Sequence, residues 1–199
     1  FDPVSATSTV VAEASSLGPF RGLNDLVFAD NGDLYFTDPG ESGLERPDGR
    51  VFRLDAGGGI DLVYEGLPYP NGLVLSARQD ALFVAVTRSL QVLRLPLREG
   101  RVVKAGVFLQ LSGGLAGPDG MAVDDTGGLA VVHAGFGTVW HFSALGEPLA
   151  RIRSTAGIRT TNVAFGVADP NALYITEAEH GVILRAQLPV AGRAMYSHR

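Results

Sequence analysis

Four residues with oxygen-bearing side chains stand at matching places in the chain: Asn24, Asn71, Asp119 and Asn162. Each comes just before a short apolar run, and they recur at intervals of 47, 48 and 43 residues. Amide and carboxylate oxygens gathered around one point make a site for a hard cation. Calcium takes many oxygen ligands at flexible geometry, and magnesium takes fewer at stricter geometry. One such Asn or Asp reads as a turn cap. Four in register read as a site.

A second set of polar residues falls where the following strand should end. It comprises Thr37 and Asp38, Thr87 and Arg88, His133, and Thr176 and Glu177, with His180 close by. Such a ring suits the hydroxyls of a sugar-like molecule, and His133 is the candidate substrate contact or proton shuttle. His141 and His198 carry no comparable signal. The four histidines lack zinc-site spacing, and no Gly-x-Ser-x-Gly elbow is present. Gly57-Gly58-Gly59 lies between two strand patterns and precedes no helix, which argues against a phosphate cradle. Trp140 alternates with its strand neighbours as a core residue does.

The elements that must position these residues are strands. Apolar runs recur every eight to twelve residues, no helical period is sustained, and 26 Gly and 11 Pro supply turns. Asn31-Gly32 is a strong hairpin turn. Each repeat holds about four strands, and a period of roughly 40–50 residues fits the blade of a β-propeller. The expected class is therefore all-β, a single propeller domain over residues 1–199, with repeats near 24–65, 71–109, 119–154 and 162–188. The last repeat offers three strands, and residues 8–14 read as the outer strand of a further blade. An open sheet edge exposes unpaired backbone, so propellers close their ring. Four blades with a fragment at each end match two-thirds of a six-bladed ring.

Composition removes other classes. The net charge of −5, with no Lys/Arg run, argues against nucleic acid. With no cysteine, disulfides, thiolate metal sites and a Cys nucleophile are excluded. Apolar stretches such as Ala81–Val86 are strand length, too short for a membrane helix. Phe1 is not an initiator Met, and Phe1-Asp2-Pro3 is no signal peptide. The expected compartment is the cytoplasm, with the natural N-terminus out of view.

The ordered motifs from Leu23-Asn24-Asp25-Leu26 to Thr37-Asp38-Pro39, then Pro70-Asn71-Gly72-Leu73, Gly117-Pro118-Asp119-Gly120 and Thr161-Asn162-Val163 resemble the gluconolactonase family. That family includes senescence marker protein and the luciferin-regenerating enzyme. The resemblance runs from about residue 8 to residue 192. It implies a six-bladed propeller with one catalytic divalent metal, Ca2+ first and Zn2+, Mn2+ or Mg2+ as alternatives. It implies Asn71 and Asp119 as metal ligands and Asn24 beside the metal, holding water or substrate. Asn162 is a pocket or turn residue. The implied reaction is hydrolysis of a small lactone, with Asp119 as ligand and base together.

Two departures stand out. The family's further ligand is a Glu in a Glu-Gly-Pro type motif, whereas Glu13 here precedes Ala14-Ser15-Ser16. An Arg common two residues before the Asn24 position is Gly22, with Arg21 one step off. A separate N-terminal fragment that completes the propeller is the expected partner, besides the lactone. The rival readings are a phosphotriester-type hydrolase on the same scaffold and a non-catalytic propeller that binds through a structural metal.

Overall fold

The computed structural model describes residue 2 and residues 4–196, so His198 lies outside the described residues. A small hairpin, β1 (Ala14–Ser15) with β2 (Gly18–Pro19), precedes four antiparallel sheets. The first sheet holds β3 (Leu26–Phe28), β4 (Leu34–Asp38), β5 (Gly49–Leu54) and β6 (Ile60–Leu67). The second holds β7 (Pro70–Leu75), β8 (Ala81–Val86) and β9 (Gln91–Arg98). Two further strands pair with β9: β10 (Arg101–Val102) and β11 (Gly106–Gln110). The third holds β12 (Pro118–Val123), β13 (Leu129–His133), β14 (Thr138–Phe142) and β15 (Pro148–Arg153). The fourth is three-stranded: β16 (Thr160–Phe165), β17 (Ala172–Glu177) and β18 (Val182–Gln187). No helix among the described residues is long and apolar enough to cross a membrane.

Each sheet is one propeller blade, and the blades pack in series. Alternation along a strand sends successive side chains to opposite neighbours. Leu82 and Val84 pack with Val27, Tyr35 and Val51 of blade one. Phe83 and Ala85 pack with Met121, Leu129 and Val131 of blade three. A third layer joins Ala130 and Val132 to Val163, Leu173 and Ile175. Covered on both faces, β8 is buried throughout and reads as one continuous apolar run.

The strands of blade four alternate, with one face uncovered; in blade one β3 alternates, while β4 and β5 are buried along most of their length. In β3, Val27 is buried while Leu26 and Phe28 are exposed; in β17, Ile175 is buried while Tyr174 is exposed. The described blades therefore form an arc.

One expectation about the chain ends changes. The strand expected over residues 8–14 survives only at Ala14, because residues 8–13 find no partner strand. Phe20 nevertheless docks, edge-on to the stacked rings of Phe36 and Phe52 on the outer face of blade one. The polar tail after Pro189 is a strap. Arg193 N–H donates to Val123 O at 3.0 Å, its guanidinium to Ser76 O at 2.8 Å, and Tyr196 stacks on Phe28 at 5.4 Å. The strap crosses the end of the inner strands opposite the oxygens described next.

Candidate metal and substrate site

The inner strands β3, β7, β12 and β16 bring Asn24, Asn71, Asp119 and Asn162 to the lining of one cavity of about 490 Å3. The pairing register sharpens their equivalence. Leu26, Leu73, Met121 and Val163 face Phe36, Val84, Val131 and Ile175 on the second strands. Two residues earlier stand Asn24, Asn71, Asp119 and Thr161. Asn162 is therefore one step out, sharing its place with Asp25, Gly72 and Gly120. The oxygens of Asp25 and Asn162 turn back to the next residue, accepting from Leu26 N at 2.9 Å and Val163 N at 2.8 Å. Asn162, expected as a pocket or turn residue, lies within β16 and lines the cavity with its oxygen spent on Val163 N.

The glycines set how closely the inner strands approach the axis. A Cβ on Gly72 would lie 2.8 Å from Gly120 Cα, and one on Gly120 would lie 2.7 Å from Asn162 Cα. Real Cβ atoms do not come so near to backbone. Pro-Asn-Gly and Pro-Asp-Gly thus combine a ligand-type side chain with the missing side chain that lets neighbouring blades converge.

Asn71 is buried and its amide has a defined orientation. Thr87 Oγ1 donates its one proton to Pro118 O at 2.8 Å, so toward Asn71 it can only accept. Asn71 Nδ2 donates to it at 3.2 Å. A second Asn71 hydrogen bond goes to the Asp119 carboxylate. Both amide protons are then used, and Oδ1 is left without a protein partner among the described residues. In blade one, Thr37 Oγ1 likewise donates to Asn71 O at 2.8 Å. A threonine of blade one and one of blade two thus anchor the inner strand of the next blade.

Asp119 carries the main electrostatic feature. Burial, then the negative charge of Asp25, push its carboxyl up to about 7, against opposing hydrogen bonds from Asn71 and Gly120. Burial also raises Asp25, opposed by the N–H groups of Leu26 and Leu73. Two carboxylates held near each other away from water disfavour their joint ionisation, and a cation relieves that strain. Sequence reasoning passed over Asp25, although an acid beside Asn24 was in plain view. It stands where the second and third repeats have glycine and the fourth has Asn162, and its side chain reaches across to Leu73 N at 3.1 Å.

The second ring reaches the cavity in part. Thr87 and Arg88 line it, as does Ala134. His133 does not: it is fully buried, with Nε2 3.0 Å from Gly113 O and Nδ1 accepting from Trp140 Nε1 at 3.4 Å. Both ring nitrogens are occupied, and burial holds its pKa low, so the ring is neutral. Asp38 is fully buried and spent on Arg50 and on the N–H groups of Arg21 and Gly22. Glu177 is buried too, accepting from Glu179 N at 2.7 Å and from His180 N and Nδ1 at 3.0 Å. Glu177, Glu179 and His180 form a cluster apart from the cavity lining. Arg21 pairs with Asp48 at 3.1 Å, and Glu13 is exposed on the β1 approach.

Residues 1–179 match the SMP-30/Gluconolactonase/LRE-like region family. A gluconolactonase of Zymomonas mobilis is 34% identical over 202 residues, covering 92% of this chain and 55% of the relative. A pentonolactonase of Haloferax volcanii is 32% identical, covering 65% of this chain and 45% of the relative. The chain thus spans about half the length of these curated relatives. Among solved structures, a calcium-binding regucalcin of Agrobacterium tumefaciens superposes with a TM-score of 0.77 at 25% identity, covering 89% of this chain and 64% of that one. A gluconolactonase of Xanthomonas campestris gives 0.76 at 27% identity, covering 89% and 61%. A propeller arc with its acidic axial cavity, a family match over nine-tenths of the sequence and a 34% identical relative agree: the chain belongs to the SMP-30/gluconolactonase/LRE-like family.

Proposed function

We propose that this protein hydrolyses a small sugar-like lactone at the axial cavity, with a divalent cation held by Asn71 and Asp119. The observation that carries this reading is the convergence of the free Asn71 Oδ1 with the Asp119 carboxylate, whose ionisation is disfavoured by burial and by Asp25. The donor set is all oxygen, with Asn24 beside it, and no cysteine or cavity-lining histidine competes. That chemistry fits a hard cation, calcium first. The lactonases among its relatives and the calcium-binding regucalcin fold support the same assignment.

A cation bound there polarises the lactone carbonyl and lowers the pKa of water. The chain's own residues supply position and proton handling. Asn71, locked by Thr87, presents one oxygen in a fixed direction. Asp119 takes the proton of the attacking water as its oxygen joins the carbonyl carbon. The ring C–O bond breaks, the ring oxygen takes up a proton, and a hydroxy acid leaves. Asp25 keeps the Asp119 carboxyl basic through its like charge. Asn24 is placed to hydrogen-bond water or substrate.

Turnover of a panel of sugar lactones by the full-length protein, with calcium and with chelator, tests this. Chelator-sensitive hydrolysis that Asp119→Asn abolishes is the expected result. An Asp119→Asn protein with full activity would overturn the assignment. Hydrolysis of phosphotriesters but no lactone would move the substrate. Calcium binding without any turnover would favour a binding module.

A further inference from the structure

We propose that Arg88 is a specificity residue that receives an anionic group, phosphate or carboxylate, carried by the substrate away from its lactone carbonyl. This rests on the lactonase reading of the neighbouring Asn71–Asp119 site.

Arg88 stands in the 3-10 turn Thr87–Ser89 that follows β8, next to the residue that orients Asn71. It lines the axial cavity and also an adjoining groove of about 490 Å3, walled by Glu41, Leu44 and Glu45 of the loop between β4 and β5. It therefore marks the boundary between the reacting end of the site and a second space.

Its guanidinium is held and unspent. The carbon centre lies 5.2 Å from the ring centroid of Tyr69, so the aromatic face supports the plane. Among the described residues Arg88 makes no ion pair, a state it shares with Arg78, Arg94, Arg98, Arg101, Arg151, Arg153 and Arg159. A stacked guanidinium keeps its planar N–H edge for bidentate contact with a carboxylate or phosphate.

The backbone is arranged to place this pair. Tyr69 adopts φ 68, a left-handed conformation unusual for an aromatic residue. It is fixed there by donation of its N–H to Leu67 O and Ser42 Oγ, both at 3.0 Å. Thr87 N donates to Tyr69 O at 3.0 Å and Arg88 N to Pro68 O at 3.2 Å, so the two segments are tied side by side. A left-handed residue held by several bonds at the rim of a cavity is the kind of strain that accompanies function.

The groove sets Arg46 and Arg88 against Glu41 and Glu45, so charge is balanced at this boundary. Asp25 and Asp119 make the inner cavity negative, and its lining contains one cationic side chain, Arg88. A bound dication takes up the inner charge, leaving the rim arginine as the group that reads a charged substituent.

The test compares kcat/KM of the calcium-loaded, full-length protein on a sugar lactone, its terminally phosphorylated form and a lactone bearing a free carboxylate. The wild type should prefer one of the charged substrates, and which one identifies the anion. Arg88→Met should lower kcat/KM on that substrate roughly 10–100-fold, mainly through KM, and leave the neutral lactone within about twofold. Equal losses on charged and neutral lactones, or no loss at all, would overturn the proposal. If the wild type opens no lactone, the lactonase reading fails by itself. Titration with the phosphorylated and dicarboxylic sugar acids then reads Arg88 directly. Binding lost in Arg88→Met upholds the anion site, and binding that is equal in both proteins, or absent from the wild type, refutes it.

Discussion

Asn71 can face only one way across the 3.2 Å that separates it from Thr87. The Thr87 hydroxyl has given its proton to Pro118 O, so it demands an N–H from Asn71 and turns the amide oxygen toward the cavity. Thr87→Val keeps the shape and removes the acceptor. Calcium affinity should fall about 10–100-fold, the usual cost of losing a residue that orients a ligand. Thr87→Ser should bind almost as the wild type does. Calorimetric titration measures both, and unchanged affinity in the valine variant would show that Thr87 does not orient the amide.

Asp119 and Asp25 divide the negative charge unequally. Both Asp25 oxygens are engaged by backbone, from Leu26 N at 2.9 Å and Leu73 N at 3.1 Å, whereas Asp119 accepts from the Asn71 side chain and from Gly120. Asp119→Asn should lose measurable turnover and most calcium affinity. Asp25→Asn should also cost stability, about 1–3 kcal/mol, because an amide nitrogen cannot accept from a backbone N–H. Denaturant unfolding and calcium titration of the two variants separate the roles. Equal effects on affinity and none on stability would contradict this division.

The repeat made the blades and three of the axial residues legible, because Asn24, Asn71 and Asp119 keep both their register and their chemistry. Asn162 misled by one place: its oxygen invited alignment with the other three, but strand pairing puts Thr161 there. Asp25 was hidden for a related reason, since two of the three equivalent positions are glycine and nothing local says where its side chain points. His133 ends a strand as expected, yet its ring lies under Gly113 and Trp140, and a strand pattern does not encode which face is covered. The strap was unreadable because its anchors are single long-range bonds, such as Arg193 to Ser76 O.

Gly72 and Gly120 should be intolerant for steric rather than conformational reasons. For Gly72 the obstructing atoms are backbone of the neighbouring blade, Asp119 and Gly120; for Gly120 they are the Asn162 side chain and, behind it, the Asn162 Cα at 2.7 Å. Gly72→Ala and Gly120→Ala should each cost about 1–3 kcal/mol and lower calcium affinity, because separating the inner strands separates the ligands. Gly43→Ala is the control: a Cβ there meets nothing within 4 Å. Unfolding midpoints of the three variants decide the matter, and a stable Gly72→Ala protein with normal affinity would refute the close approach.

Asp124 gives the acid response a sign. Burial would raise its pKa, but hydrogen bonds from the His141 and Thr126 side chains and from Gly128 and Thr126 N–H outweigh that and lower it. His141 Nε2 donates to Oδ2 at 2.7 Å, and both side chains are buried. With the folded pKa below the unfolded value of 3.8, the charge contributes stability above that value and loses it as pH falls through the folded pKa. Asp124→Asn should therefore cost about 1–3 kcal/mol at neutral pH, and the gap from wild type should narrow as the pH drops below about 4. Denaturant unfolding at neutral pH and at stepwise lower pH measures that gap. A gap that stays constant would show that the carboxylate's shape, and not its charge, holds the turn against the strap residue Gly192 with which Asp124 forms a β-bridge.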